Sequence, residues 1–262
     1  EAVKRPLPST SSATPVTTLL LRDQRLPIGR KTYLMGILNV TPDSFSECGK
    51  YRNPEEAIRV LDVLEEEGAD VIDVGSESTR PGAEAVSKEE EIHRILPVLE
   101  AWDRKRRYTL LSIDTSKAEV AEIALQHGAS LINDVTALQG DARMGEVIRR
   151  YQAGVVLMHM KGNPRTMQEN PTYDDLLSEM TEFFQRAIQR AVQAGIREES
   201  IILDPGIGFG KTLAHNLEIL RNLHLFRVFG KPLLVGPSRK SFIGQVLNLP
   251  IAERLLGTAA SV

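Results

Sequence analysis

Seven short apolar runs, each followed by a longer segment, set the pattern of this sequence. The runs are YLMGIL (33–38), DVIDV (70–74), YTLLSI (108–113), SLIN (130–133), GVVLM (154–158), IIL (201–203) and PLLV (232–235). They have the length and branching of buried strands. Among the intervening segments, 54–67 carries Ala57, Ile58, Val60, Leu61 and Leu64 at helical spacing. Segment 174–194 does the same with Leu176, Leu177, Met180, Phe183, Phe184, Ile188 and Val192. Asn53 before Pro54 reads as a helix N-cap with proline at the first helical position, and Gly68 and Gly195 stand where helices should stop. Strands apolar on both faces, alternating with helices, imply a parallel sheet covered by helices, either closed into a barrel or left open.

The residues at the strand ends favour the barrel. In YLMGILNVTPDSFS (33–46) the apolar run breaks at Asn39 into the turn formers Thr41, Pro42, Asp43 and Ser44. Polar groups follow the other runs too: 75–80, Asp114, Asn133 with Asp134, His159, 204–210 and 236–241. An open sheet gathers its ligand groups near one switch point, whereas a barrel lets nearly every strand end contribute. A chain of 262 residues suits one such domain. Only seven strand–helix units are present, and the chain stops in ERLLGTAASV with the pattern of a helix. The expected fold is therefore a TIM-type (β/α)8 barrel over 17–262 that lacks its eighth strand and helix, truncated at the C-terminus. Residues 1–16, rich in Ser, Thr and Pro, read as a flexible leader or linker, and 17–21 with 31–34 as a small hairpin around RDQRLPIG.

Composition excludes several functions. A net charge of −3 exerts no broad pull on nucleic acid or anionic membranes, and no run approaches the ~18 apolar residues of a membrane span. The single cysteine, Cys48, excludes an intrachain disulfide and a cysteine-rich metal site, and fits a reducing, cytoplasmic setting.

Several polar strand-end residues have the chemistry of a ligand site. Asp114 reads equally as an N-cap for the next helix, but Asp204 closes a buried run and needs a donor partner. With the Asn133 amide, two such carboxylates suit a flat heterocycle bearing several N–H donors. GSESTRPG (75–82) and GPSRKS (236–241) bring Arg80, Arg239 and Lys240 to strand ends, where they suit anions; single cations are more often solvated. GIGFGK (206–211) lacks the spacing of a dinucleotide motif and the context of a P-loop. His159, without a second histidine at metal spacing, reads as a hydrogen-bonded wall residue, and Cys48 has no base beside it. Phe209, between two glycines, reads as a loop aromatic flanking a planar ligand.

Together, NVTPDSFS, GADVIDVGSESTRPGA, SIDTSK, INDV, LDPGIGFGK and GPSRKSFIG resemble the dihydropteroate synthases, in order, from about Leu34 to the end of the chain. The resemblance implies a (β/α)8 barrel that joins a dihydropterin methyl diphosphate to p-aminobenzoate with loss of diphosphate. It implies that Asp114, Asn133, Asp204 and Lys240 hold the pterin, with Met158 and Gly236 beside it. Asn39 would bind Mg2+ and the diphosphate. Thr79, Arg80, Pro81, Phe209, Lys240 and Ser241 would border the p-aminobenzoate pocket, with Phe45 on a loop above. Asp114, Lys240 and Arg80 are the expected catalytic groups, acting in an SN1-like transfer, and the assembly expected is a homodimer. The family's last strand carries an Arg-x-His motif that does not occur after Val262, so this stretch alone is expected to be weakly active or inactive. Rival readings are a pterin-dependent methyltransferase, against which STRPG and SRKS speak, and a silent pterin-binding module of a larger folate-pathway protein.

Overall fold

The computed structural model describes residues 15–40, 54–77, 86–105, 107–162 and 166–262. A hairpin of β1 (Thr18–Leu21) and β2 (Gln24–Pro27) precedes a parallel sheet of β3 (Met35–Asn39), β4 (Val71–Gly75), β5 (Leu110–Asp114), β6 (Leu131–Asp134), β7 (Gly154–Met158) and β8 (Ile201–Asp204). The sheet order follows the chain order throughout. PLLV joins beyond β8 through one parallel bridge, Leu203 to Leu233, with Leu203 N–H bonded to Pro232 O and Leu234 N–H to Leu203 O. All seven apolar runs thus enter one sheet. Because each strand is added on the same side, with no reversal of order, the architecture is that of a TIM-type α/β barrel and not a doubly wound sheet. Among the described residues, β3 and the PLLV segment form its margins.

The helices are α1 (Pro54–Glu66), α2 (Lys88–Arg104), α3 (Ala118–Gln126), α4 (Met144–Tyr151), α5 (Leu176–Gln193), α6 (Leu213–Arg221), α7 (Ser241–Leu247) and α8 (Leu255–Ala259). Gly68 and Gly195, at φ of +96° and +83°, end α1 and α5 as their positions in the sequence imply. Asp175 caps α5 by accepting from Ser178 N–H at 3.1 Å. Asn53 lies outside the described residues. None of the described helices is long and apolar enough to cross a membrane.

Two features differ from the sequence reading. The second hairpin strand lies inside RDQRLPIG, because the turn is only Arg22–Asp23, with Leu21 opposite Gln24. The sheet is also not apolar on both faces. Its outer side, including Leu38, Ile72, Val74, Ile113, Ile132, Leu157 and Leu203, is buried against the helices. On the inner side only the lower part is apolar. There Val71, Leu131, Val156 and Ile202 pack with Leu19 and Leu21 of the hairpin, which fills the floor. Gly154 makes this possible, since a Cβ there would lie 2.1 Å from Leu21 Cδ2. Toward the C-terminal strand ends the same inner side turns polar, with Asp73 and Ser112, then Asn39, Gly75, Asp114 and Asn133, and Asp204 at the end of β8.

Candidate active site

Parallel register builds the site as rows across the sheet. Asn39 pairs with Gly75, Gly75 with Asp114, and Asp114 with Asn133. Gly75 keeps this row open: a Cβ there would sit 3.4 Å from Asn39 Oδ1 and 3.6 Å from Asp114 Oδ2. One level down, Asp73 pairs with Ser112. The Ser112 hydroxyl donates to Asp73 Oδ1 at 2.6 Å, and Asn133 Nδ2 donates to Asp73 Oδ2 at 2.9 Å. Asn133 Oδ1 is buried with no partner among the described residues, a free acceptor at this site.

Carboxylates crowd this face. Burial raises Asp73 and Asp204 above the usual carboxylate range, and Asp114 stands well above it, pushed first by burial and then by the negative charges of Asp73, Glu91, Asp134 and Glu77. Cations stand on the far side. Burial brings Lys240 down to about 8 and Lys211 to about 7, with Asp204 opposing the shift in both. The carboxylate of Asp204 accepts from Gly206 N–H at 2.7 Å, and Met158 lies opposite it in the register. Lys240 Nζ bonds the Ile207 carbonyl and sits 4.7 Å from the centre of the Phe209 ring. A Cβ at Gly236 would lie 3.9 Å from that same Nζ.

The inner side therefore gathers Asn39, Asp114, Asn133, Met158 and Asp204, and the loops above it bring Phe209, Gly236 and Lys240. Ser241, the first residue of α7, is exposed. Phe45, Thr79, Arg80 and Pro81 lie outside the described residues, as does Cys48. Asp114 is not a helix cap: α3 begins four residues later with Lys117 at its N-cap, and Ala118 N–H bonds Asp141 Oδ2 at 3.0 Å. Asp134 turns away from the site, accepting from Thr136 N–H, Thr136 Oγ1 and Leu138 N–H in its own loop. His159 is a buried wall residue. Burial and Lys211 lower it to about 2, its Nδ1 lies 3.0 Å from Lys211 Nζ, and its ring meets Phe183 edge-on.

Asp73, Ser112 and Lys211 escaped the sequence reading. A signal existed for the first: Asp73 is a charge inside an apolar run, two residues before Gly75 and so on the same face. Among the described residues no group of three or more His, Cys, Asp or Glu could hold a metal ion.

Comparison with known proteins agrees with this geometry. The family model described as pterin binding enzyme matches residues 35–262. The chain is 49% identical to the dihydropteroate synthase of Escherichia coli over 228 residues, covering 87% of this chain and 80% of that one. It is 47% identical to the dihydropteroate synthase of Synechocystis over 234 residues, 89% and 81% of the two chains. Its fold is similar to the crystal structure of the Yersinia pestis dihydropteroate synthase in complex with a sulfonamide drug, at a TM-score of 0.87 and 46% identity, over 93% of this chain and 88% of that one. The Xanthomonas albilineans dihydropteroate synthase with 4-aminobenzoic acid is similar at a TM-score of 0.84 and 39% identity, over 94% and 87%. Agreement at this identity across the sheet and its helices makes the chain a member of the pterin-binding enzyme family, among its dihydropteroate synthases.

Proposed function

We propose that the polar half of the inner face condenses a dihydropterin methyl diphosphate with p-aminobenzoate, the dihydropteroate synthase step of folate biosynthesis, by an SN1-like route. The observation that supports this reading most is the division of the site. Carboxylates and a free amide oxygen line the strands, while the half-buried Lys240 stands over them beside Phe209. The N–H groups of a pterin match Asp114, Asp204 and Asn133 Oδ1. The C–O bond between the pterin methylene and the diphosphate breaks first, and its electron pair leaves with the diphosphate. Positive charge spreads into the pterin, where the Asp114 carboxylate stabilises it. The amine nitrogen of p-aminobenzoate then forms the new C–N bond and gives up its proton to solvent. Such a step needs position more than a strong base, in keeping with a His159 held neutral in the wall.

Mg2+ fits the lip of this cavity. Asn39 Oδ1 stands beside Gly75 and Asp114, and magnesium takes one or two protein oxygens with phosphate oxygens and water as its other ligands. Asn39 would hold the ion, which when bound supplies charge neutralisation to the departing diphosphate. Thr79, Arg80, Pro81, Ser241 and Phe45 would complete the p-aminobenzoate side.

Diphosphate release, measured with and without p-aminobenzoate, tests this. The unaltered site should release diphosphate slowly without the amine and fast with it. Asp114→Asn should bind pterin yet turn over poorly; full turnover by that variant would remove the carboxylate from the mechanism.

A further inference from the structure

The stretch GIGFGK, which fits no nucleotide motif, is built for close backbone contact. A Cβ at Gly206 would fall 2.1 Å from His159 O, and one at Gly210 would fall 2.5 Å from Lys161 O, so side chains at either position would hold this loop off the segment after β7. Four consecutive carbonyls of the loop are then each taken by a side-chain donor. Lys240 Nζ bonds Ile207 O, Gln168 Nε2 bonds Gly208 O, Lys211 Nζ bonds Phe209 O at 2.9 Å, and the Tyr173 hydroxyl bonds Gly210 O at 2.8 Å. From below, Gly208 N–H donates to Asn216 Oδ1 at 2.7 Å. Connecting a strand to a helix requires no such density of donors. The one large side chain the loop presents is Phe209, partly exposed toward Lys240.

Lys211 is the buried end of this clamp, 3% exposed. Its ammonium carries three N–H groups and meets three acceptors: Phe209 O, His159 Nδ1 at 3.0 Å and His159 O at 3.1 Å. With Lys211 as the ammonium, the imidazole accepts through Nδ1 and carries its proton on Nε2. One side chain thereby locks the backbone under the Phe209 ring to the end of β7, next to the strand that supplies Asp204.

We propose that Lys211 and Tyr173 are positioning residues for p-aminobenzoate: by fixing the Phe209 and Gly210 carbonyls, they set the Phe209 ring at the angle that receives the aryl ring. This rests on the reading that Phe209 borders the p-aminobenzoate pocket, and the test separates the two. KM for each substrate and kcat are measured for Phe209→Ala, Lys211→Met and Tyr173→Phe, and for Phe209→Ala combined with each of the others. Loss of the charged bond in Lys211→Met should raise KM for p-aminobenzoate about tenfold, and loss of the neutral bond in Tyr173→Phe about threefold. KM for the dihydropterin diphosphate should stay within about twofold. Neither substitution should add to Phe209→Ala, because both act through that ring. Equal rises in both KM values, or additivity with Phe209→Ala, would overturn the proposal. Should Lys211→Met fail to fold, Tyr173→Phe, which removes one hydroxyl, carries the same comparison. If Phe209→Ala leaves KM for p-aminobenzoate unchanged, the pocket reading itself fails. If Phe209→Ala raises it while Lys211→Met and Tyr173→Phe do not, only the clamp fails.

Discussion

Asp114 occupies a position that disfavours its own charge, with burial and four neighbouring carboxylates holding it well above the usual carboxylate range. A folded-state value raised above the ordinary 3.8 means that this group stabilises the protein most at low pH and loses that contribution as pH rises through the raised value. Asp73 and Asp204 act in the same direction. Asp114→Asn is therefore expected to lower kcat by about 10²- to 10³-fold, yet to raise the melting temperature of the ligand-free protein at neutral pH and flatten its decline with pH. Thermal scans from pH 4 to 8 check this, and a variant curve parallel to the unaltered one would contradict it. N–H donors from a bound pterin favour the ionised carboxylates, so binding should release protons. Calorimetry in buffers of different ionisation enthalpy reads the number released; a buffer-independent enthalpy would refute it. Asp114, Asn133 and Asp204 were legible in the sequence because each ends its strand or lies one residue from its end. Asp73 left only the signal of a charge inside an apolar run, since the partners that make its burial tolerable, Ser112 and Asn133, come from strands far away in sequence.

At the scale of single elements, the hairpin and Gly154 are coupled. Leu21 is fully buried in space that only glycine leaves free, so Leu21→Ala should cost about 2–5 kcal/mol as a cavity. Gly154→Ala should cost about 1–3 kcal/mol by overpacking, and combining the two should recover part of the loss; denaturant midpoints measure all three. The helices α1 and α5 were legible from apolar spacing and their stop glycines. The second hairpin strand was not, because QRLP is mostly exposed and lacks alternation. Its turn depends on Arg22, held at φ +58° while its guanidinium reaches Leu125 O at 2.8 Å and Ala129 O at 3.0 Å. Contacts more than a hundred residues away in sequence leave no local trace.

For the molecule as a whole, the seven apolar runs gave strand order and class, because periodicity reports the side of each strand that faces helices. It says less about the inner side, where what matters is the register between neighbours: the same two-residue alternation that puts Leu131 on the floor puts Asn133 two rungs above it. The hairpin under that floor has a further consequence. Leu19 and Leu21 already occupy the space against the apolar lower half of the inner side, so a guest has to lodge above them, among the polar strand ends.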